Sequence, residues 1–331
     1  MNLTNVTTFT SYDNTTDRFI HNWTPSLSIV RYLYFETISW WIFLGFLVLG
    51  IPLNVIAFFI WLIGPKSKTL CCATYFASNA AADFLCLTIP GISTYLWRNF
   101  YFDQDSDLNL IQRHTRSLLI ASSNWITASI TIERALTMFC PFVFRPEAMR
   151  KRSKYVVLAI CVVLVSTYVP LQYMASKMYE HELRRITKLF DLIVRILVPF
   201  ILIVTINTGV VATLCWRRFQ QNTVSTNRRS YVEVFTKITV FSGLSFTLSY
   251  TAEIIKAICF VNCMGIDKYR YLVGIAICML WFNCFANPVF CFIVCKSVRD
   301  DLWSAVSMVA RKCRNACRCR RLEPEPEPAY V

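Results

Sequence analysis

The sequence predicts an all-α membrane protein: a seven-transmembrane helix bundle followed by a short amphipathic eighth helix. Three observations carry that prediction. Apolar residues make up 55% of the 331 residues and charged ones 16%, with a mean hydropathy of +0.45, where an ordinary soluble domain is about a quarter charged. Four long stretches hold no charge at all: Thr37 to Pro65, Tyr155 to Ser176, Ile196 to Trp216 and Tyr271 to Cys295. Three more are interrupted by only one or two charges.

Crossing the roughly 30 Å apolar core of a bilayer takes about 20 helical residues. Within lipid the backbone must satisfy its own hydrogen bonds, so spans of this length are helices. Residues 1–36 form a polar amino-terminal segment without the basic and apolar regions of a signal peptide. All four Asn-x-Ser/Thr sequons of the chain lie there, at Asn2, Asn5, Asn14 and Asn22. Their confinement before the first span predicts an extracellular, glycosylated amino terminus.

Residues 37–295 form the bundle. The first span is Thr37 to Pro65. The second, Thr69 to Trp97, contains Asp83 alone; the third, Ser117 to Phe144, contains Glu133 and Arg134. The fourth and fifth are uncharged, the sixth (Ile238 to Asn262) contains Glu253 and Lys256, and the seventh is Tyr271 to Cys295. With the amino terminus outside, the cytoplasmic segments hold 21 Lys and Arg against 8 Asp and Glu, and the outer segments 13 against 11. That is the usual orienting bias of a multi-pass membrane protein. The net charge of +14 therefore needs no nucleic-acid partner; it fits topology and attraction to anionic membrane lipids.

Residues 296–331 are a cytoplasmic helix and basic tail. Val298 to Ala310 reads as amphipathic, and Cys313, Cys317 and Cys319 follow among basic residues. The pattern suits palmitoylation, with a plain basic tail as the alternative. The prolines among the last ten residues favour an extended end.

Polar residues inside a span are costly and mark function or packing. On the third span Arg116, Ser123 and Arg134 are seven and eleven residues apart. Both intervals fall within about 20° of whole turns, so the three share one stripe roughly 27 Å long. The alternative is two arginines reaching opposite interfaces.

Glu133-Arg134-Ala135 followed by Pro141-Phe142 resembles the acidic-Arg motif of rhodopsin-like (class A) G-protein-coupled receptors. Gly50-Ile-Pro-Leu-Asn54, Asn79-Ala-Ala-Ala-Asp83, Pro199 with Asn207, and Asn287-Pro288-Val-Phe-Cys291 resemble that family's first-, second-, fifth- and seventh-helix motifs in order. The likeness covers about residues 37–310, and the fifth helix faintly resembles invertebrate FMRFamide-type neuropeptide receptors. Several departures stand out. Asn109 replaces the third-helix Cys, and no Cys occurs between 162 and 214, so a bridge from the third helix to the second outer loop is not expected. Tyr250 and Ala252 replace the sixth-helix Trp and Pro, and Asn207 and Cys291 replace two tyrosines.

The resemblance implies conversion of extracellular ligand binding into activation of a heterotrimeric G protein. Glu133, Arg134, Asn287 and Pro288 would form the coupling switch. Asp83, Ser123, Asn283 and Asn287 would form a pocket for a bound sodium ion, or Asp83 would be neutral or held by those same groups. Arg116 stands where amine receptors carry an Asp, which disfavours a monoamine. Arg113, Arg116, Arg195, Glu253, Lys256 and Trp281 are candidates for binding a peptide or anionic ligand. An internal Arg116–Glu253 salt bridge is the alternative. The chain has no Gly-x-Ser-x-Gly or His-Glu-x-x-His motif, and an enzyme is not expected. A non-signalling receptor-like scaffold or decoy and a membrane transporter are the competing functions.

Overall fold

The computed structural model describes residues 27–70, 72–94, 107–139, 146–177, 189–220, 240, 243–255 and 266–320. The glycosylation candidates Asn2, Asn5, Asn14 and Asn22, together with Lys256, lie outside these residues. No strand occurs among the described residues. Helix α1 is Leu27–Ile63 and is followed by a single 3₁₀ turn, Ser67–Thr69. Helix α2, Ala73–Cys86, runs into a π turn at Leu87–Gly91. Helices α3, Asp107–Phe139, and α4, Pro146–Lys177, come next. A π turn at Ile193–Leu197 leads into α5, Val198–Gln220. Residues 243–255 form the described part of α6. Helices α7, Ile266–Val294, and α8, Lys296–Arg320, complete the order.

Four helical stretches are long and apolar enough to cross a membrane: Tyr34–Ile63, Ala148–Leu171, Leu189–Thr213 and Gly274–Val294. They match the four uncharged runs of the sequence. Helix α3 carries Arg113, Arg116, Glu133 and Arg134, and α2 is interrupted by its π turn; neither meets that measure.

Among the described residues, packing is densest around α1, α2 and α3. Helix α1 lies against both α2 and α7, α2 against α3, and α3 against α4 and α5. Two apolar clusters form the core. One joins α1, α2, α3, α7 and α8 through Trp61, Phe76, Ile126 and Val298, with the Trp61 and Phe76 rings stacked at 4.8 Å. The other joins Phe43, Ile120, Phe246, Tyr250 and Trp281. The outer surface is the reverse of a soluble protein. Leu158, Val162, Val163, Val165 and Val169 along α4 are all exposed, as are Val48, Leu49, Phe59 and Ile63 on α1. So many exposed apolar side chains suit contact with lipid, and with the four long apolar helices they point to a helical membrane protein.

The eighth helix is not short. It runs for 25 residues because Lys296 to Arg321 contains no Gly or Pro, and the first helix breaker is Pro324. It therefore takes in most of the basic run. Arg299 donates to the Phe292 carbonyl at 3.4 Å and to that of Ile293, covering carbonyls that the end of α7 leaves open.

Candidate functional site

Prolines inside helices prepare the site. A proline has no N–H, so it releases the carbonyl four residues earlier. Pro288 in α7 releases the Cys284 carbonyl, and Asn54 of α1 donates to it at 3.0 Å and to Gly50 at 2.9 Å. Pro199 in α5 releases the Arg195 carbonyl, and Asn124 of α3 donates to it at 2.7 Å. In the adjoining π turn the Val198 N–H bonds Ile193. That leaves the Val194 carbonyl open, and the Trp125 indole takes it at 3.1 Å. Buried backbone groups need partners; here polar side chains of neighbouring helices supply them and fix the helix contacts.

At mid-depth Asp83 of α2 is fully buried. Its Oδ1 accepts from Ser123 at 2.8 Å. Its Oδ2 accepts from Asn79 at 3.1 Å and Asn287 at 2.9 Å. Ser123 also donates to Asn79 Oδ1, at 3.1 Å. Helices α2, α3 and α7 thus meet on one carboxylate. Three of the four expected pocket residues come together here. The fourth, Asn283, accepts from Ser245 of α6 at 3.5 Å, and Asn79 joins the carboxylate set. A sodium ion here would draw on the Asp83 carboxylate, Ser123 Oγ and Asn79 Oδ1, the hard oxygen donors such a cation takes.

At the next residue of α3 after Ser123, α6 is tied to α3. The Tyr250 hydroxyl donates to Asn124 Oδ1 at 2.6 Å, so Asn124 bridges α6 to the open carbonyl of α5. Tyr250 and Asn124 are both buried. Lower on α6, a Cβ at Gly243 would collide with the Asn207 amide of α5; the missing side chain is what lets the two helices approach. Asn124 and Tyr250 were not among the expected site residues. Pro199 was the available signal, since it announces an open carbonyl at Arg195.

Toward the end of the bundle opposite Arg134, charged groups gather. Arg195 pairs with Asp191 at 3.3 Å, one turn earlier. The charges of Arg195 and Glu253 act on Arg116, and those of Arg195, Glu253 and His114 act on Asp191. The Arg116 guanidinium lies 5.3 Å from the Trp281 ring centroid, within cation–π range. Of the four basic residues expected around Glu253, the Arg113 side chain and Lys256 lie outside the described set. Asp191 belongs to the cluster, so Arg116 and Arg195 face two carboxylates. A charge one turn from Arg195 was legible by i,i+4 spacing.

At the other end, Glu133 is buried and Arg134 partly exposed, and Pro288 is buried in α7. Beside them α8 is clasped to the turn after α1. Asp301 is buried; its carboxylate accepts from the Ser67 N–H at 2.8 Å, from Ser67 Oγ at 2.7 Å, and from the Lys66 N–H at 3.2 Å. A Cβ on Gly64 would come within 2.6 Å of that carboxylate, so the turn needs its glycine. Lys66 Nζ pairs with Asp300 at 2.7 Å. The hydrogen bond to the Lys66 ammonium holds the Asp300 carboxyl below its ordinary value and raises Lys66 in turn. The side chains of Cys313, Cys317 and Cys319 lie outside the described set, although their backbone belongs to α8. Among the described residues no group of three or more His, Cys, Asp and Glu is placed to hold a metal ion.

No protein-family model matches the chain, and comparison with curated proteins finds no match.

Proposed function

We propose that the chain is a seven-span receptor of the rhodopsin-like, G-protein-coupled kind, sited in the plasma membrane with its amino terminus outside. The observation that carries this reading is the polar axis of α3. Arg116, Ser123 and Arg134 lie along one stripe of that helix, with Ser123 bonded to the Asp83 carboxylate. A central helix polar from end to end, flanked by apolar lipid-facing helices, suits a bundle whose two ends communicate. Arg134 with Glu133 would meet the G protein; a guanidinium offers a fork of donors to carboxylates and carbonyls. Asn287 and Pro288 would relay movement of α7. The cluster around Arg116, Arg195, Glu253 and Trp281 would receive a ligand of negative or mixed charge, such as a peptide.

Nucleotide exchange on purified heterotrimeric G proteins tests the reading. The full chain in lipid should accelerate exchange, and Arg134→Ala should abolish that effect with surface expression and ligand binding preserved. Full-strength exchange by Arg134→Ala removes the role given to Arg134. A second reading, a receptor-like scaffold that does not signal, is favoured by the Tyr250–Asn124 tie and by a sixth segment without proline. It predicts no exchange from the wild-type chain with any G protein class.

A further inference from the structure

At the charged end of the bundle, among the described residues, two buried N–H donors lack acceptors. Arg195 has a carboxylate of its own in Asp191, yet its Nε has no acceptor. Trp281 is fully buried, and its indole N–H also has no acceptor. Arg116 rests on the Trp281 ring. A ring face answers the charge of a guanidinium but accepts none of its five N–H groups. Buried donors without acceptors are expensive, and they define what is missing: a group that only accepts. The surroundings limit its shape. Trp281 belongs to the apolar cluster of Phe43, Ile120, Ile196 and Tyr250. Arg116 remains partly exposed above it, so a ligand arriving from that end meets the guanidinium first.

We propose that this site binds an apolar monocarboxylate: one carboxylate received by Arg116 and the Trp281 N–H, with an apolar body against the aromatic and aliphatic wall. A bidentate guanidinium–carboxylate pair gives both charge and orientation. A neutral carbonyl accepts such N–H groups but leaves the guanidinium charge unanswered, and charge-assisted pairs are the stronger ones. The inference deepens and rests on the receptor reading, which makes this end the ligand face.

Benzoate and benzamide are matched probes, alike in body and different in charge. A ligand that binds the folded state alone raises the unfolding temperature with concentration. In thermal unfolding of the full chain in lipid nanodiscs, benzoate should raise the transition temperature, and benzamide at equal concentration should not. Arg116→Gln should abolish the shift. Trp281→Phe keeps a ring face but loses the N–H, and should weaken benzoate roughly tenfold. Should Arg116→Gln fail to fold, the wild-type pair of probes and Trp281→Phe decide. Equal shifts from both probes, no shift from benzoate, or an undiminished shift in Arg116→Gln overturns the proposal. No G protein is involved in this measurement. Carboxylate binding without nucleotide exchange therefore sinks the receptor reading alone, and exchange without carboxylate binding sinks this site alone.

Discussion

Asn124 shows how much one buried side chain can carry. It has an amide N–H for the Arg195 carbonyl and an oxygen for the Tyr250 hydroxyl, so α3, α5 and α6 meet on it. Removing the hydroxyl while keeping the ring isolates half of that arrangement. Tyr250→Phe leaves Asn124 Oδ1 without its donor in a buried place, which should cost about 1–3 kcal/mol. Thermal unfolding in detergent should show the loss, and the ring contact with Phe246 at 4.4 Å should keep the fold intact. If the tie restrains α6, the same variant should also raise nucleotide exchange in the absence of ligand. A stability loss with no change in exchange would make Tyr250 a packing residue only. Asp83 is a second such hub. Asp83→Ala strips the acceptor from Ser123, Asn79 and Asn287 at once and should destabilise by several kcal/mol, more than any one of those partners would, as paired unfolding curves would show.

Among the elements, α8 is held by two neighbouring carboxylates that behave differently. Asp301 is buried and accepts backbone and hydroxyl donors; Asp300 forms a surface pair with Lys66. Asp301→Ala leaves the Lys66 and Ser67 N–H groups without acceptors and should free α8, seen as faster hydrogen exchange and proteolysis along Lys296–Arg320. Asp300→Ala should change little, because exposed pairs contribute little. The pH dependence follows from the signs. Asp300 is depressed below 3.8 in the folded state, so its contribution is complete above that value and lost as pH falls through the folded one. Lys66 is raised above 10.5, so its contribution is complete below that value and lost as pH rises further. Between the two, exchange rates in α8 should not respond to this pair; a transition near neutral pH would point to another group. The start of α8 was legible from amphipathic spacing. Its length was underestimated because basic residues were read as tail, although nothing in Lys296 to Arg321 breaks a helix. The clasp was hidden, since nothing in Gly64-Pro-Lys-Ser says which carboxylate it receives.

For the whole molecule, uncharged runs alone located α1, α4, α5 and α7, because lipid imposes a composition as well as a length. The polar helices were read from runs broken by one or two charges instead, and their contacts could not be read at all: Pro199 and Pro288 announce open carbonyls, but only three dimensions bring Asn124 and Asn54 to them. The proposed orientation still rests on charge and sequons, and it has a direct test. Twenty-one basic residues fall on one set of connecting segments and thirteen on the other. Retention of basic residues on the cytoplasmic side then places residues 1–36 outside, where asparagine-linked glycan is added. Enzymatic removal of such glycan should lower the apparent mass of the chain made in an animal cell. Changing Asn2, Asn5, Asn14 and Asn22 to Gln together should abolish that shift, and single changes should each remove a fraction of it or none. Because α8 and the basic tail lie an odd number of spans away in a seven-span chain, an epitope placed after Val331 should be protected from antibody in intact cells. An unglycosylated wild-type chain with an exposed carboxy terminus would reverse the bundle and place Arg134 outside the cell. A protected amino terminus together with a protected carboxy terminus would mean an even number of spans. In that case one of α2, α3 or α6, the helices that the length-and-hydropathy measure leaves out, does not cross.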